Sequence, residues 1–68
     1  MVGALGAREL QSLVCLVRGM SVHDTAASMG ASVEDVARYR ASMLKKLKAR
    51  RIVDAVRIGL YAGVDLAN

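Results

Sequence analysis

The 68-residue chain has no proline, tryptophan or phenylalanine, one cysteine, one histidine and two tyrosines. Cys15 alone makes no intramolecular disulfide, and Cys15 with His23 falls short of the four ligands a structural zinc site needs. Two tyrosines leave few platforms for stacking single-stranded RNA, and basic segments without bulky aromatics lack the anchor of a membrane-surface helix. No charge-free run approaches the roughly 20 apolar residues that cross a bilayer. Met1 to Gly6 lacks a basic segment followed by an apolar run, so no secretory signal is expected and the default location is the cytoplasm. A chain this short buries only about 60% of the surface its unfolded form exposes. That leaves little room for a core and an enclosed pocket together. No nucleophile, base and orienting group form a constellation, so the expectation is no enzyme, no small-molecule substrate, no metal and no cofactor.

What is present points to one folded domain: 54% hydrophobic residues, 24% charged residues and a net charge of +4. The charge is polarised. Residues 1–37 carry two basic and four acidic side chains, a net of −2, whereas residues 38–68 carry eight basic and two acidic, a net of +6. A basic block of this kind faces a polyanion, with nucleic acid the commonest partner, or else is a solvated helix face. Lacking disulfide and metal, a domain this small needs efficient helix packing or self-association, so a homodimer is expected.

Glycines and capping residues divide the chain into four helices, at about 7–18, 22–29, 33–47 and 51–62. In the first, Leu10, Leu13, Val14, Leu16 and Val17 recur at spacings of three and four, and Gly19 stops it. Cys15 lies inside this run and reads as a small packing residue. Ser21 to Asp24 is a Ser-x-x-Asp start for the second helix, with Val22, Ala26 and Met29 on one face and Gly30 as its stop. His23 falls at an exposed early position and is assigned no chemistry. Ser32 to Asp35 repeats the start only two residues after Gly30, and Val36, Tyr39, Met43, Leu44 and Leu47 form the inner face of the third helix. Two capped helices joined by a short Gly-containing turn, the second longer and basic in its later turns, describe a helix-turn-helix. In the last helix Ile52, Val53, Val56, Leu60 and Tyr61 fall at helical spacing. They are either a face for a second copy or internal core.

These residues resemble the C-terminal DNA-binding domain of LuxR/FixJ-type transcriptional regulators, the bacterial response-regulator and quorum-sensing factors, over nearly the whole chain. The resemblance lies in Ala7-Arg8-Glu9-Leu10, Gly19-Met20-Ser21, Ala31-Ser32-Val33-Glu34-Asp35-Val36, Met43-Leu44-Lys45-Lys46-Leu47, Asp54-Ala55-Val56-Arg57 and Ala62-Gly63-Val64. Tyr39-Arg40-Ala41-Ser42-Met43 and the closing Val-Arg-x-x-Leu-x-Ala-Gly-Val run are similar to the FixJ-like branch. The resemblance implies an all-α, four-helix LuxR-type helix-turn-helix domain over residues 1–68. Its third helix would dock in the major groove of double-stranded DNA, and its fourth would mediate dimerisation. It maps Glu34, Ala37, Arg38 and Ala41 onto base-facing positions and Ser21, Ser32, Arg40, Lys45, Lys46 and Lys48 onto phosphate contacts. For the two serines, simple helix capping is an equal reading. The dimer residues would be Val53, Val56, Arg57, Leu60 and Tyr61.

Two departures bear on function. Asp35 stands where the family commonly has Thr, and Ala37 where it has Lys or Arg, and both changes remove favourable DNA contact. The leading expectation is a sequence-specific, dimeric DNA-binding transcriptional regulator, or the effector domain of one. The alternative is a stand-alone protein-interaction module that pairs with another regulator or with RNA polymerase, with weak DNA binding or none.

Overall fold

The computed structural model describes residues 2–64; Met1 and the last four residues, with Asp65 of the basic half, lie outside that span. A short 3-10 turn, Val2–Ala4, precedes four helices: α1 (Ala7–Val17), α2 (Val22–Met29), α3 (Val33–Leu47) and α4 (Ile52–Tyr61). Relative to the expected spans, α1 ends one residue earlier and α4 is shorter by one residue at each end.

Local chemistry sets these boundaries. The Glu9 carboxylate accepts from the Gly6 N–H at 2.7 Å, satisfying a backbone donor at the start of α1. At its other end Gly19 adopts φ 75°, and Met20 N–H reaches back to Cys15 O at 3.0 Å. Ser21 Oγ accepts from Asp24 N–H at 3.0 Å to open α2, which Gly30 closes at φ 63°. Ser32 Oγ accepts from Asp35 N–H, also at 3.0 Å, to open α3. The stop of α3 carries no sequence signal, because a non-glycine residue, Lys48, takes the left-handed conformation at φ 56°. Ala49 N–H then bonds Leu44 O at 2.9 Å, the same reversed closure that glycine provides elsewhere.

The apolar faces meet in two clusters. The larger joins α1, α3 and α4 through Leu13, Leu16, Met43, Leu47 and Ala55, with Leu5, Val17, Leu44, Val56 and Ile58 packed against it. The smaller joins α2 to the first half of α3 through Ala26, Met29 and Val36, with Val22, Ala31 and Tyr39 alongside. Helix α3 therefore runs through both. Arg8 adds a clamp, its Nη1 donating to Met29 O at 2.8 Å and tying α1 to the end of α2.

Two apolar faces differ from the sequence pattern. In α1, Leu10 is exposed and Val14 half-buried, while Glu9 and Ser12 are buried beside Leu13, Cys15 and Leu16. The spacing of leucines and valines found the buried Leu13 and Leu16 but included the exposed Leu10 and missed Glu9 and Ser12, because a buried carboxylate and hydroxyl carry no apolar signal. In α4 the inward positions are the small Ala55 and Gly59. A Cβ on Gly59 would lie 2.8 Å from Val17 Cγ2, so α4 approaches α1 as closely as glycine allows. The large side chains Val53, Leu60 and Tyr61 are left outside, exposed to 53, 58 and 87%. They are surface, which removes the internal-core alternative for them; Val56 is half-buried against the larger cluster and Arg57 is exposed.

Candidate nucleic-acid interface

A helix-turn-helix surface needs its second helix gripped on one side and bare on the other. In α3 the buried side is Val36, Met43 and Leu47. On the other side Glu34, Arg38, Ala41, Lys45 and Lys48 follow at spacings of four, three, four and three, and every one of them is exposed, as is Ala37 beside them. That spacing aligns Glu34, Arg38, Ala41 and Lys45 in one stripe along the cylinder, and Lys48 follows just past the last turn, at the left-handed residue that ends α3. It starts acidic, in the turn where negative charge complements the positive end of the helix dipole, and ends basic, where positive charge suits the carbonyl end.

All four residues expected to face bases thus lie on open surface. Arg38 is not unrestrained: its Nη2 donates to Asp35 Oδ1 one turn earlier. Hydrogen bonding from the Ser32 side chain, and then the neighbouring Arg38 charge, hold the Asp35 carboxyl below its ordinary range against the opposing effect of burial.

The residues expected at phosphates fall into three situations. Lys45 and Lys48 are exposed. Ser21 and Ser32 are exposed too, with their oxygens already accepting the cap hydrogen bonds. Lys46 and Arg40 are engaged by the fold. Lys46 Nζ donates to Glu9 Oε1 at 2.7 Å, so it bridges α3 to α1. Arg40 is half-buried, with Nε and Nη2 enclosed and without a hydrogen-bond partner.

Glu9, read from the sequence only as part of the opening of α1, is the node of this polar cluster. Its carboxylate accepts from Gly6 N–H, Ser42 Oγ and Lys46 Nζ. Lys46 first, then Ser42 and the Gly6 amide, lower its pKa from 4.5 to about 2, outweighing a desolvation that acts the other way. The cluster fixes the later turns of α3 on α1, and so fixes where the exposed stripe points. The signal that could have found it is the pair Ser42 and Lys46, four residues apart on the side of α3 adjoining the core.

Among the described residues no group of His, Cys, Asp and Glu could hold a metal ion, and no helix is long and apolar enough to cross a membrane. The buried Cys15 lies in α1 and lines a groove together with Arg8, Leu10, Val14 and Met29.

Comparison with known proteins agrees with this architecture. Residues 3–59 match the GerE family model, the bacterial regulatory proteins of the luxR family. The chain is 40% identical over 67 residues to the transcriptional regulatory protein FixJ of Azorhizobium caulinodans, covering 98% of this chain and 32% of that protein. It thus spans about a third of the length of the curated relative it matches. No solved structure matches it. With its four helices, its capped helix-turn-helix pair and a family match over most of its length, this chain belongs to the luxR family of bacterial regulatory proteins.

Proposed function

We propose that the chain is a sequence-specific DNA-binding transcriptional regulator, or the effector domain of one, acting in the cytoplasm. It lays α3 in the major groove of double-stranded DNA and pairs with a second copy through α4. The observation that carries this reading is the exposed stripe of Glu34, Arg38, Ala41 and Lys45, with Lys48 just beyond it, on a helix otherwise packed into both cores. The major groove admits an α-helix, and each side chain on the stripe has a counterpart there. Arg38 is a bidentate donor for guanine, Glu34 an acceptor for the cytosine amine, and Ala37 and Ala41 are apolar surfaces for a thymine methyl. Lys45 and Lys48 hold phosphates and fix the register, while the half-buried Arg40 adds positive potential and Lys46, neutralised by Glu9, serves the orientation of α3. The helix starts at Ser21 and Ser32 offer their amide ends to the backbone. The relative's name, a transcriptional regulatory protein, supports the same role here.

The test is fluorescence anisotropy of a labelled pool of random duplexes at two salt concentrations, with selection of the tightest binders. Binding that survives physiological salt and enriches two half-sites is the expected result. Arg38→Ala should cost about 1–3 kcal/mol and relax one base position, whereas Lys45→Ala should weaken all sequences alike and flatten the salt slope. Binding that disappears with salt and enriches nothing refutes the reading. That result would favour a protein-interaction module, for which the outward Val53, Leu60 and Tyr61 of α4 are the supporting observation.

A further inference from the structure

Within the stripe, Arg38 stands apart from the lysines because an acidic residue holds it. Its side chain is 76% exposed, so the pair with Asp35 does little for stability. Its consequence is geometric. A solvent-exposed arginine samples many rotamers, and ordering it on DNA costs entropy that a pre-set rotamer avoids. Asp35 is a firm anchor for this purpose: it is half-buried, its own N–H is bonded to Ser32 Oγ at 3.0 Å, and Ser32 keeps its carboxyl ionised. The guanidinium carries further N–H donors beyond the one given to Asp35, and these stay available for a base edge.

We propose that Asp35 is a positioning residue for base readout, holding the Arg38 guanidinium toward the first turns of α3 so that it addresses one base pair rather than the nearest phosphate. The inference rests on the DNA-binding reading above and deepens it. It also gives sense to an acidic residue on a surface that meets a polyanion. Paired with Asp35, Arg38 adds no net attraction for the DNA backbone; the pair trades general affinity for selectivity. Asp35 contacts no base in this arrangement and acts through Arg38.

The experiment compares the wild-type chain, Asp35→Asn, Arg38→Ala and the double variant, each titrated against the sequence that the wild type selects from a random duplex pool and against the unselected pool. Asparagine keeps the backbone N–H that Ser32 caps and removes one negative charge, and circular dichroism checks that helix content is unchanged. Asp35→Asn should bind the unselected pool more tightly than wild type, with a steeper salt dependence. Its preference for the selected sequence should fall by about fivefold or more, concentrated at one base pair, the scale of discrimination a well-placed bidentate contact supplies. In the Arg38→Ala background the same substitution should leave base preference unchanged. If Asp35→Asn keeps the wild-type preference while Arg38→Ala loses it, the inference is overturned and the DNA reading stands. If the wild type selects no sequence, the DNA reading fails and takes this inference with it.

Discussion

The contact of α4 with α1 gives a test of packing in which two known effects oppose each other. Replacing Gly59 by alanine removes a glycine from the interior of a helix, which by propensity alone stabilises by about 1 kcal/mol. The new Cβ, however, would sit 2.8 Å from Val17 Cγ2 and 3.2 and 3.3 Å from Leu13 Cδ1 and Cγ. Carbon pairs prefer about 3.5–4.0 Å. Leu13 is fully buried, and the β-branched Val17 has little rotamer freedom in a helix, so neither side chain yields cheaply. Overpacking of this kind costs about 1–3 kcal/mol. With three close contacts and a stiff neighbour the clash outweighs the propensity gain, and the net destabilisation should be about 1 kcal/mol. For a domain of this size that lowers Tm by roughly 4–8 °C. Thermal and urea unfolding followed by circular dichroism measure it, and combining the change with Val17→Ala should recover much of the loss. A Gly59→Ala chain with a higher Tm than wild type would mean that α4 can move off α1 freely, and the close approach would not be a constraint.

Three further outcomes follow from features of the fold. Glu9 titrates near 2 rather than 4.5, so its contribution to stability is complete above about pH 4.5 and is lost as pH falls toward 2; Glu9→Gln should be less stable at neutral pH and converge with wild type on acidification, whereas unfolding curves that stay parallel would contradict the cluster. Lys48→Gly relieves a left-handed lysine and should stabilise by up to about 1 kcal/mol in urea titrations while weakening DNA binding at all sequences; a loss of stability would refute the strain argument. Tyr61→Ser and Leu60→Ser remove apolar surface that is already exposed, so on the proposed pairing through α4 they should shift sedimentation toward monomer with monomer stability nearly unchanged; a wild type that sediments as monomer, or a profile the variants leave unaltered, would refute that pairing.

The sequence was most legible where structure is local. Ser21 and Ser32 with their acidic partners three residues later state where α2 and α3 start, and Gly19 and Gly30 state where α1 and α2 stop. Part of the exposed stripe of α3 was legible for the same reason, since helical spacing sets Arg38, Ala41 and Lys45 off the face of Val36, Met43 and Leu47, whereas Glu34 and Lys48 entered through the family resemblance and Ser42, which the same spacing sets outside, is half-buried against Glu9. What was hidden depends on tertiary neighbours. Lys48 is pulled into a glycine-like conformation by the closure of α3, and no propensity announces that. The Glu9, Ser42 and Lys46 cluster joins residues more than thirty positions apart, so Lys46 looked as free as Lys45. Arg40 looked like any surface cation, and two of its nitrogens are enclosed. In α4 the inner face is written in alanine and glycine, whose small size is a packing statement only once α1 is in place.

Helix α3 is shared between a larger cluster at its far end and a smaller one at its near end. Helix α2, eight residues long, is too short to persist without the support of Ala26, Met29 and Val36. Local opening is expected to start there and to reach the first turns of α3 before Met43 and Leu47 are released, an order that amide exchange would read out. Helix α3 is thus held at both ends, by Glu9 and Lys46 where its later turns meet α1 and by the Ser32 cap and the buried Val36 where its first turn carries Glu34 and Asp35. Such a helix keeps its aim at the locked end even when α2 opens.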